Sequence, residues 1–212
     1  MKRALNLIKE EFRRNAKRIL KKEVQISARA KHYKMFKPLL NLLTELKAKR
    51  ILIFNPLLYE PNCYILRREL AKRYEIFVPF MLGISLEMVK SRLPLVSRTK
   101  FGVKEPLSTK IFKKRIDVAI VPTLGVDGNM ARIGHGKGFY DRFFANLPYR
   151  PTLIFVEILD NFTNEIISED HDVMCDFYLT PSKIYVKRGI YDRDFNRLRS
   201  RCGGRWRRLS HR

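Results

Sequence analysis

Residues 132–142 read Arg-Ile-Gly-His-Gly-Lys-Gly-Phe-Tyr-Asp-Arg, and no other stretch of the chain concentrates so much potential chemistry. Gly134, Gly136 and Gly138 alternate, Lys137 stands between the last two, and Phe139, Tyr140 and Asp141 follow directly. Glycine admits positive φ and lets a ligand approach the main chain closely. Successive amides in such a loop converge on an anion, most often a phosphate. Lys137 adds a point charge, and Asp141 is an oxygen ligand of the kind that holds magnesium beside nucleotide phosphates. A plain glycine-rich turn ahead of a helix is the alternative, and a short glycine pattern alone does not separate the two. The spacing does exclude two common loops. A P-loop needs Ser or Thr after its Gly-Lys, where this chain has Gly138; a dinucleotide-binding turn needs a glycine where it has Phe139.

Around that loop the hydrophobic pattern predicts the elements that must hold it. Residues 3–23 carry an apolar stripe at helical spacing (Leu5, Ile8, Phe12, Ile19, Leu20) with basic residues on the other face. A second helix is expected over Met35–Leu46, with Pro38 in its first turn. Ile51–Phe54, Glu75–Pro79, Asp117–Val121, Thr152–Glu157 and Asp176–Thr180 read as short strands, most of them closed by proline or a turn. Cys63–Arg73 has helical spacing, while Ile84–Val89 fits either a strand or a short helix. Thr123–Ala131 is a loop or hairpin turning at Asp127-Gly128-Asn129, and Phe139–Leu147 is a helix starting where the glycine loop ends. Strands alternating with helices imply an α/β domain: a layered, mainly parallel sheet flanked by helices.

The chain has 212 residues, 45% of them hydrophobic, enough for one ordinary domain with an appendage or for two very small ones. The longest apolar runs are strand-sized and far short of a membrane span, and the Met-Lys-Arg start leads into an amphipathic pattern, not a signal peptide's apolar core. Cys63, Cys175 and Cys202 are scattered, without a CxxC pair, which argues against a disulfide framework or zinc site and suits a reducing cytoplasm. The net charge of +23 is concentrated in the first 50 residues and after Lys187. Residues 187–212 hold ten Arg or Lys against two Asp, and with Gly203-Gly204 they read as a solvated basic extension beyond a domain at 1–186.

Four separated motifs agree on one family. The chain resembles 5-formyltetrahydrofolate cyclo-ligase, also called methenyltetrahydrofolate synthetase, over about residues 1–183. The family's N-terminal Lys-x-x-x-Arg matches Lys9 to Arg13. Its strand-loop segment with a following Glu matches Phe54-Asn55-Pro56-Leu57-Leu58-Tyr59-Glu60. A Phe-Gly-x-x-Glu-Pro element appears as Phe101–Pro106, and the long glycine signature runs from Val126-Asp127 through Arg142. The chain departs from the pattern at Pro61-Asn62-Cys63, which replaces an acidic neighbour of Glu60, and at Phe139, which replaces a tyrosine. His135 occupies a variable place, and the basic extension lies outside the pattern.

The resemblance implies an ATP- and magnesium-dependent ligase forming a C–N bond. It would convert 5-formyltetrahydrofolate to 5,10-methenyltetrahydrofolate with release of ADP and phosphate. Phosphorylation of the formyl oxygen creates a leaving group, and the folate's own 10-nitrogen closes the ring, so the protein positions reactants and neutralises charge. By position, Lys9, Arg13 and the loop Arg132, Ile133, Gly134, His135, Gly136, Lys137, Gly138, Phe139 and Tyr140 fall to the nucleotide. Lys137, Arg132 and Tyr140 fall to the transferring group. Glu60, Phe54, Leu57 or Leu58, and Tyr140 fall to the folate, whose glutamate tail suits a positive surface. Asp141 and Asp172 fall to magnesium. Neither His135 as a general base nor Cys63 as a nucleophile is needed. Two other readings stay open: a basic nucleic-acid-binding protein, motivated by charge alone, and a family member that binds nucleotide or folate without turnover. The expected location is the cytoplasm.

Overall fold

The computed structural model describes residues 2–26, 28–92, 94–97, 102–107, 110–189 and 191–209. Two helices open the chain, α1 (Lys2–Ile26) and α2 (Ala28–Glu45), and lead into strand β1 (Arg50–Leu52). A single 3-10 turn (Cys63–Leu66) and α3 (Arg67–Ala71) carry the chain to β2 (Glu75–Leu82) and its antiparallel partner β3 (Ser85–Lys90). Next come the ribbon β4 (Leu95–Ser97) and β5 (Lys104–Pro106), then β6 (Val118–Pro122) and the small hairpin β7 (Gly125–Val126) and β8 (Arg132–Ile133). Helix α4 (Phe139–Ala145), β9 (Thr152–Val156), β10 (Phe177–Leu179), β11 (Ile184–Lys187), α5 (Phe195–Cys202) and β12 (Trp206–Leu209) complete it.

Eight strands form one sheet in the order β12-β11-β10-β9-β6-β1-β2-β3. Only the β10–β11 and β2–β3 pairs are antiparallel. Central strands of a parallel sheet are covered on both faces and read as continuous apolar runs. That is the pattern of β6, where every residue is buried. On one face Met35, Leu39, Leu42 and Leu43 of α2 join Leu70 of α3 and Phe195 and Leu198 of α5. On the other, Phe143 of α4 packs with Val126 and Met130 of the β7–β8 hairpin. Helix α1 touches α2 and sets its Ala16 and Leu20 against Leu124 after β6 and Ile158 after β9.

From β1 the chain first builds β2 and β3 on one side, then returns to place β6 on the other. The carboxyl ends of β1 and β6 therefore diverge, the place where open α/β sheets bind ligands. Pro79 acts on the other side of β1. It was expected to close its strand, but β2 runs through it to Leu82, paired with Met88 of β3. The Ile53 amide donates to the Phe77 carbonyl at 2.9 Å. In a parallel ladder the residue two beyond Phe77 would donate back to Ile53, and Pro79 has no N–H. Pro79 thus ends its neighbour's pairing, and the chain after β1 is free to leave the sheet.

Other expectations need correction. Helix α2 begins at Ala28, so Pro38 lies inside it and not in its first turn. The carbonyl it deprives of a donor belongs to Lys34, an exposed residue that water can serve. Asp176–Thr180 is not the last strand, and residues 187–212 are not simply a solvated extension. Strand β11 crosses the 186/187 division, α5 buries Phe195, Leu198 and Cys202, and β12 pairs with β11 in parallel. Phe101, from the Phe-Gly-x-x-Glu-Pro element, lies outside the described residues. Among the described residues no helix is long and apolar enough to cross a membrane.

Candidate functional site

At the divergence of β1 and β6 lies a cavity of about 300 Å³. The segment after β1 supplies Phe54, Asn55, Leu57, Tyr59 and Glu60; the segment from β8 into α4 supplies Arg132, His135, Lys137, Gly138, Phe139 and Tyr140. Pro79, Met81 and Leu86 close one wall, Val103 and Glu105 another, and Lys17 of α1 reaches in from the rim. Two motifs separated by more than seventy residues in sequence thus share one concave surface.

The glycine loop is held from several directions. Arg132 Nε donates to the Pro122 carbonyl at 2.9 Å, and its guanidinium lies 4.8 Å over the Tyr140 ring. A Cβ at Gly134 would sit 2.1 Å from Arg132 Nη1, so the pinned guanidinium needs glycine there. Gly136 and Gly138 adopt φ of +91° and +64°, conformations L side chains rarely take. Arg13 Nε donates to the Gly134 carbonyl at 3.0 Å, tying α1 to the loop. Arg142, given no role by sequence, donates to the Lys137 carbonyl at 2.9 Å and to the Ile84 carbonyl at 2.7 Å, fixing the loop against the β2–β3 turn.

The rim is strongly positive. Burial lowers the Lys17 ammonium pKa, and the nearby charges of Arg13, Lys21 and Lys137 push it further down. Cations that repel one another at a cavity mouth are the arrangement a polyanion relieves. Deeper in, acceptors predominate. Glu60 is 6% exposed; its Oε2 accepts the Leu57 amide at 2.8 Å and its Oε1 lies 3.1 Å from His135 Nε2. Glu105 Oε1 accepts the Met81 amide at 2.7 Å. Asn55 Nδ2 donates to the Lys104 carbonyl, which leaves Asn55 Oδ1 buried without a hydrogen-bond partner among the described residues. Burial, aided by the Glu60 charge, raises the Tyr140 phenol pKa far above its usual range, so it stays protonated.

Lys137 and Gly138 form a wall shared with a second, shallower depression that also includes Gly136, Asp141 and His171. Asp141 Oδ1 accepts the Val173 amide at 3.2 Å, and Oδ2 lies 3.9 Å from Arg132 Nη1. Among the described residues, Glu169, His171 and Asp172 bring their ligand atoms within 4.8 Å of one another. Lys9, only 3% exposed, points its ammonium at Asp172 and lies 3.6 Å from Glu169.

The sequence-predicted residues therefore divide. Phe54, Glu60, Arg132, His135, Lys137, Gly138, Phe139 and Tyr140 line the cavity. Lys9 is buried in an ion pair outside it, and Arg13 serves the loop's backbone. Ile133 is buried in β8, where its carbonyl accepts the Leu124 amide at 2.9 Å. Leu58 is corrected: it is 92% exposed at the tip of a turn, and Leu57 takes the wall position. Pro61, Asn62 and Cys63, where the family pattern is altered, lie outside the cavity lining; burial pushes the Cys63 thiol up to about 12, which removes it as a nucleophile. Lys17, Asn55 and Glu105 were missed. Lys17 follows Lys9 and Arg13 at four-residue spacing, the helical signal that aligns them, and Asn55 and Glu105 sit inside motifs already recognised.

A sequence model of the 5-formyltetrahydrofolate cyclo-ligase family matches residues 5–181. A Mycolicibacterium smegmatis protein named 5-formyltetrahydrofolate cyclo-ligase is 36% identical over 112 residues, which are 51% of this chain and 55% of the relative. A Schizosaccharomyces pombe protein, named as a probable 5-formyltetrahydrofolate cyclo-ligase, is 28% identical over 51% of this chain and 62% of its own length. The chain thus spans a little over half the length of the curated relatives it matches. In solved structures, the Aquifex aeolicus 5,10-methenyltetrahydrofolate synthetase superposes with a TM-score of 0.68 at 22% identity, over 84% of this chain and 91% of the other. The Mycoplasma pneumoniae 5,10-methenyltetrahydrofolate synthetase gives 0.61 at 18% identity, over 81% and 97%. These two likenesses show the fold. With its motifs gathered on one cavity and the family pattern running through six of the eight strands of its sheet, the chain belongs to the 5-formyltetrahydrofolate cyclo-ligase family.

Proposed function

We propose that this protein converts 5-formyltetrahydrofolate to 5,10-methenyltetrahydrofolate with cleavage of ATP to ADP and phosphate. The observation that carries the reading is one cavity holding both Glu60, an acceptor for a donor-rich heterocycle, and Lys137-Gly138 of the phosphate-type loop. In the first step the formyl oxygen bonds to the γ-phosphorus as the bond to ADP breaks. The 10-nitrogen then attacks the activated carbon and loses its proton, and the C–O bond breaks to release phosphate. Lys137, with Arg132 and Lys17 nearby, supplies positive charge where the phosphoryl group passes. Tyr140, its outer face stacked by Arg132, and Phe54 flank the reacting heterocycle with apolar surface. Glu60 accepts hydrogen bonds from its amino and ring N–H groups.

Magnesium fits the shallow depression better than the buried acid group. Mg²⁺ takes one or two carboxylates together with phosphate oxygens and waters. Asp141 shares its depression with Gly136–Gly138 and has its cation, Arg132 Nη1, as far off as 3.9 Å, whereas Asp172 is in direct contact with the Lys9 ammonium. Asp141 would therefore hold the ion, with Asp172 its outer support. When bound, the ion neutralises charge on the β- and γ-phosphates. The glutamate tail of the substrate lies along the positive rim, and the reaction belongs to the cytoplasm.

The test is direct. Protein, ATP, magnesium and 5-formyltetrahydrofolate are mixed, and the near-ultraviolet absorbance of the methenyl product is followed. Lys137→Ala and Gly134→Ala each lower turnover by about 10²-fold or more, the loss typical of one charge-stabilising donor. Binding of both ligands without product would leave a silent binder. Nucleic-acid binding in place of both would make the positive rim the whole function.

A further inference from the structure

His135 stands in the phosphate-type loop, yet its side chain is directed to the other half of the site. Nε2 lies 3.1 Å from Glu60 Oε1, and the Tyr59 ring meets the imidazole edge-on at a centroid distance of 5.7 Å. A carboxylate only accepts, so Nε2 carries the proton in this contact. The other Glu60 oxygen is taken by the Leu57 amide, so the His135 contact fixes the rotation of that carboxylate.

The backbone at His135 belongs to the glycine loop. Its neighbour Gly134 receives Arg13 on its carbonyl at 3.0 Å, and Gly136 takes a positive φ of +91° before Lys137. An anion gripped by this loop would hold its backbone, and with it the imidazole, in the position that aims Glu60. We propose that His135 is a positioning residue that couples the two ligands: the loop's grip on the nucleotide sets the Glu60 carboxylate for the heterocycle. The inference rests on the function proposed above. By linkage, each ligand then raises the affinity of the other by the same factor.

Calorimetry with the full chain measures that factor. 5-formyltetrahydrofolate is titrated with and without magnesium and a β,γ-methylene ATP analogue, for the native protein, His135→Ala and His135→Gln. The analogue should tighten folate binding to the native protein by about tenfold, within the range of ordinary coupling energies. His135→Ala should bring the factor to about one, and His135→Gln, whose amide N–H can still reach Glu60, should restore most of it. Equal factors in native protein and His135→Ala, or a native factor of one with both ligands bound, overturn the coupling and leave the proposed function standing. Failure of the native protein to bind the folate at all removes the function itself. Thermal melts of the three proteins show whether a lost factor reflects unfolding; an alanine variant folded like the native protein and uncoupled supports the assignment.

Discussion

At the carboxyl end of β9, Glu157 is 1% exposed and its Oε1 accepts the Ile158 amide at 2.7 Å. Burial raises its pKa well above the ordinary 4.5, and the Glu60 charge raises it further, against the opposing effect of that hydrogen bond. The folded state thus holds a proton that the unfolded chain releases from about pH 4.5 upward. Where the native state binds more protons, stability falls as pH rises, by about 1.4 kcal/mol per pH unit for one group. The contribution is complete below the unfolded pKa and is lost on the way up to the folded one. Glu157→Gln keeps the acceptor for Ile158 and removes the titration. Its urea midpoint should be close to the native one near pH 4.5 and increasingly higher as the pH rises above that. Parallel midpoints across that range would show Glu157 to be ionised at no cost. Nothing in the sequence distinguished this carboxyl, because a Glu at a strand end is ordinarily the first solvent-exposed residue.

Elements carry the site through a few acids that serve backbone rather than ligand. Asp127 in the β7–β8 hairpin is fully buried; Oδ1 accepts the Asn129 and Ala131 amides at 2.9 and 3.0 Å, and Oδ2 accepts those of Ile167 and Ser168 at 3.1 and 2.9 Å. It closes the hairpin turn, where Met130 takes a positive φ of 62°, and binds the 164–168 segment to it. Asp127→Asn turns an NH₂ toward two buried donors whichever way the amide lies. A loss of about 3 kcal/mol follows from two unsatisfied charge-assisted bonds, read as a shift in urea midpoint; a loss below about 1 kcal/mol would mean the turn is held by other contacts. The turn itself was readable as Asp127-Gly128-Asn129, and β1, β6, β9 and β10 were readable because interior parallel strands are unbroken apolar runs. Pro79 and Pro38 misled for a common reason. A missing N–H matters only where a partner was waiting, and β2 at Pro79 and α2 at Pro38 present that position to a gap or to water. Leu58 illustrates the complementary limit: between two adjacent leucines, only the turn geometry decides which one faces the cavity.

For the molecule as a whole, the basic C-terminal residues are part of the sheet. Their composition hid this, since two short elements with few aliphatics do not announce a core. Yet Phe195, Leu198 and Cys202 are buried on the α2 face, the Trp206 ring meets Phe177 and Phe195 edge-on at 6.2 and 5.9 Å, and Arg208 lies 4.0 Å over Phe195. Arg201 pairs with Glu45 at the end of α2 at 3.0 Å, with Arg197 on the same carboxylate. Arg197, Arg201 and Arg208 are thus engaged in holding α5 and β12 in place. Full burial of one large apolar side chain contributes about 1.5–3 kcal/mol, so Phe195 and Leu198 together represent about 3–6 kcal/mol, against a total domain stability of about 5–15 kcal/mol. Removing residues 188–212 takes away both, strips the cover from Leu39 and Leu43, and leaves β11 as a bare edge. The truncated chain should melt at least about 10 °C lower than the full one, or aggregate. The single change Leu198→Ala should cost about 2–5 kcal/mol in urea. A solvated extension predicts the opposite, an unchanged melt and unchanged turnover after truncation. A loss of fold in both variants would make the edge strand as much a condition of the cavity as the glycine loop, since the sheet that positions β1 and β6 depends on every strand being covered.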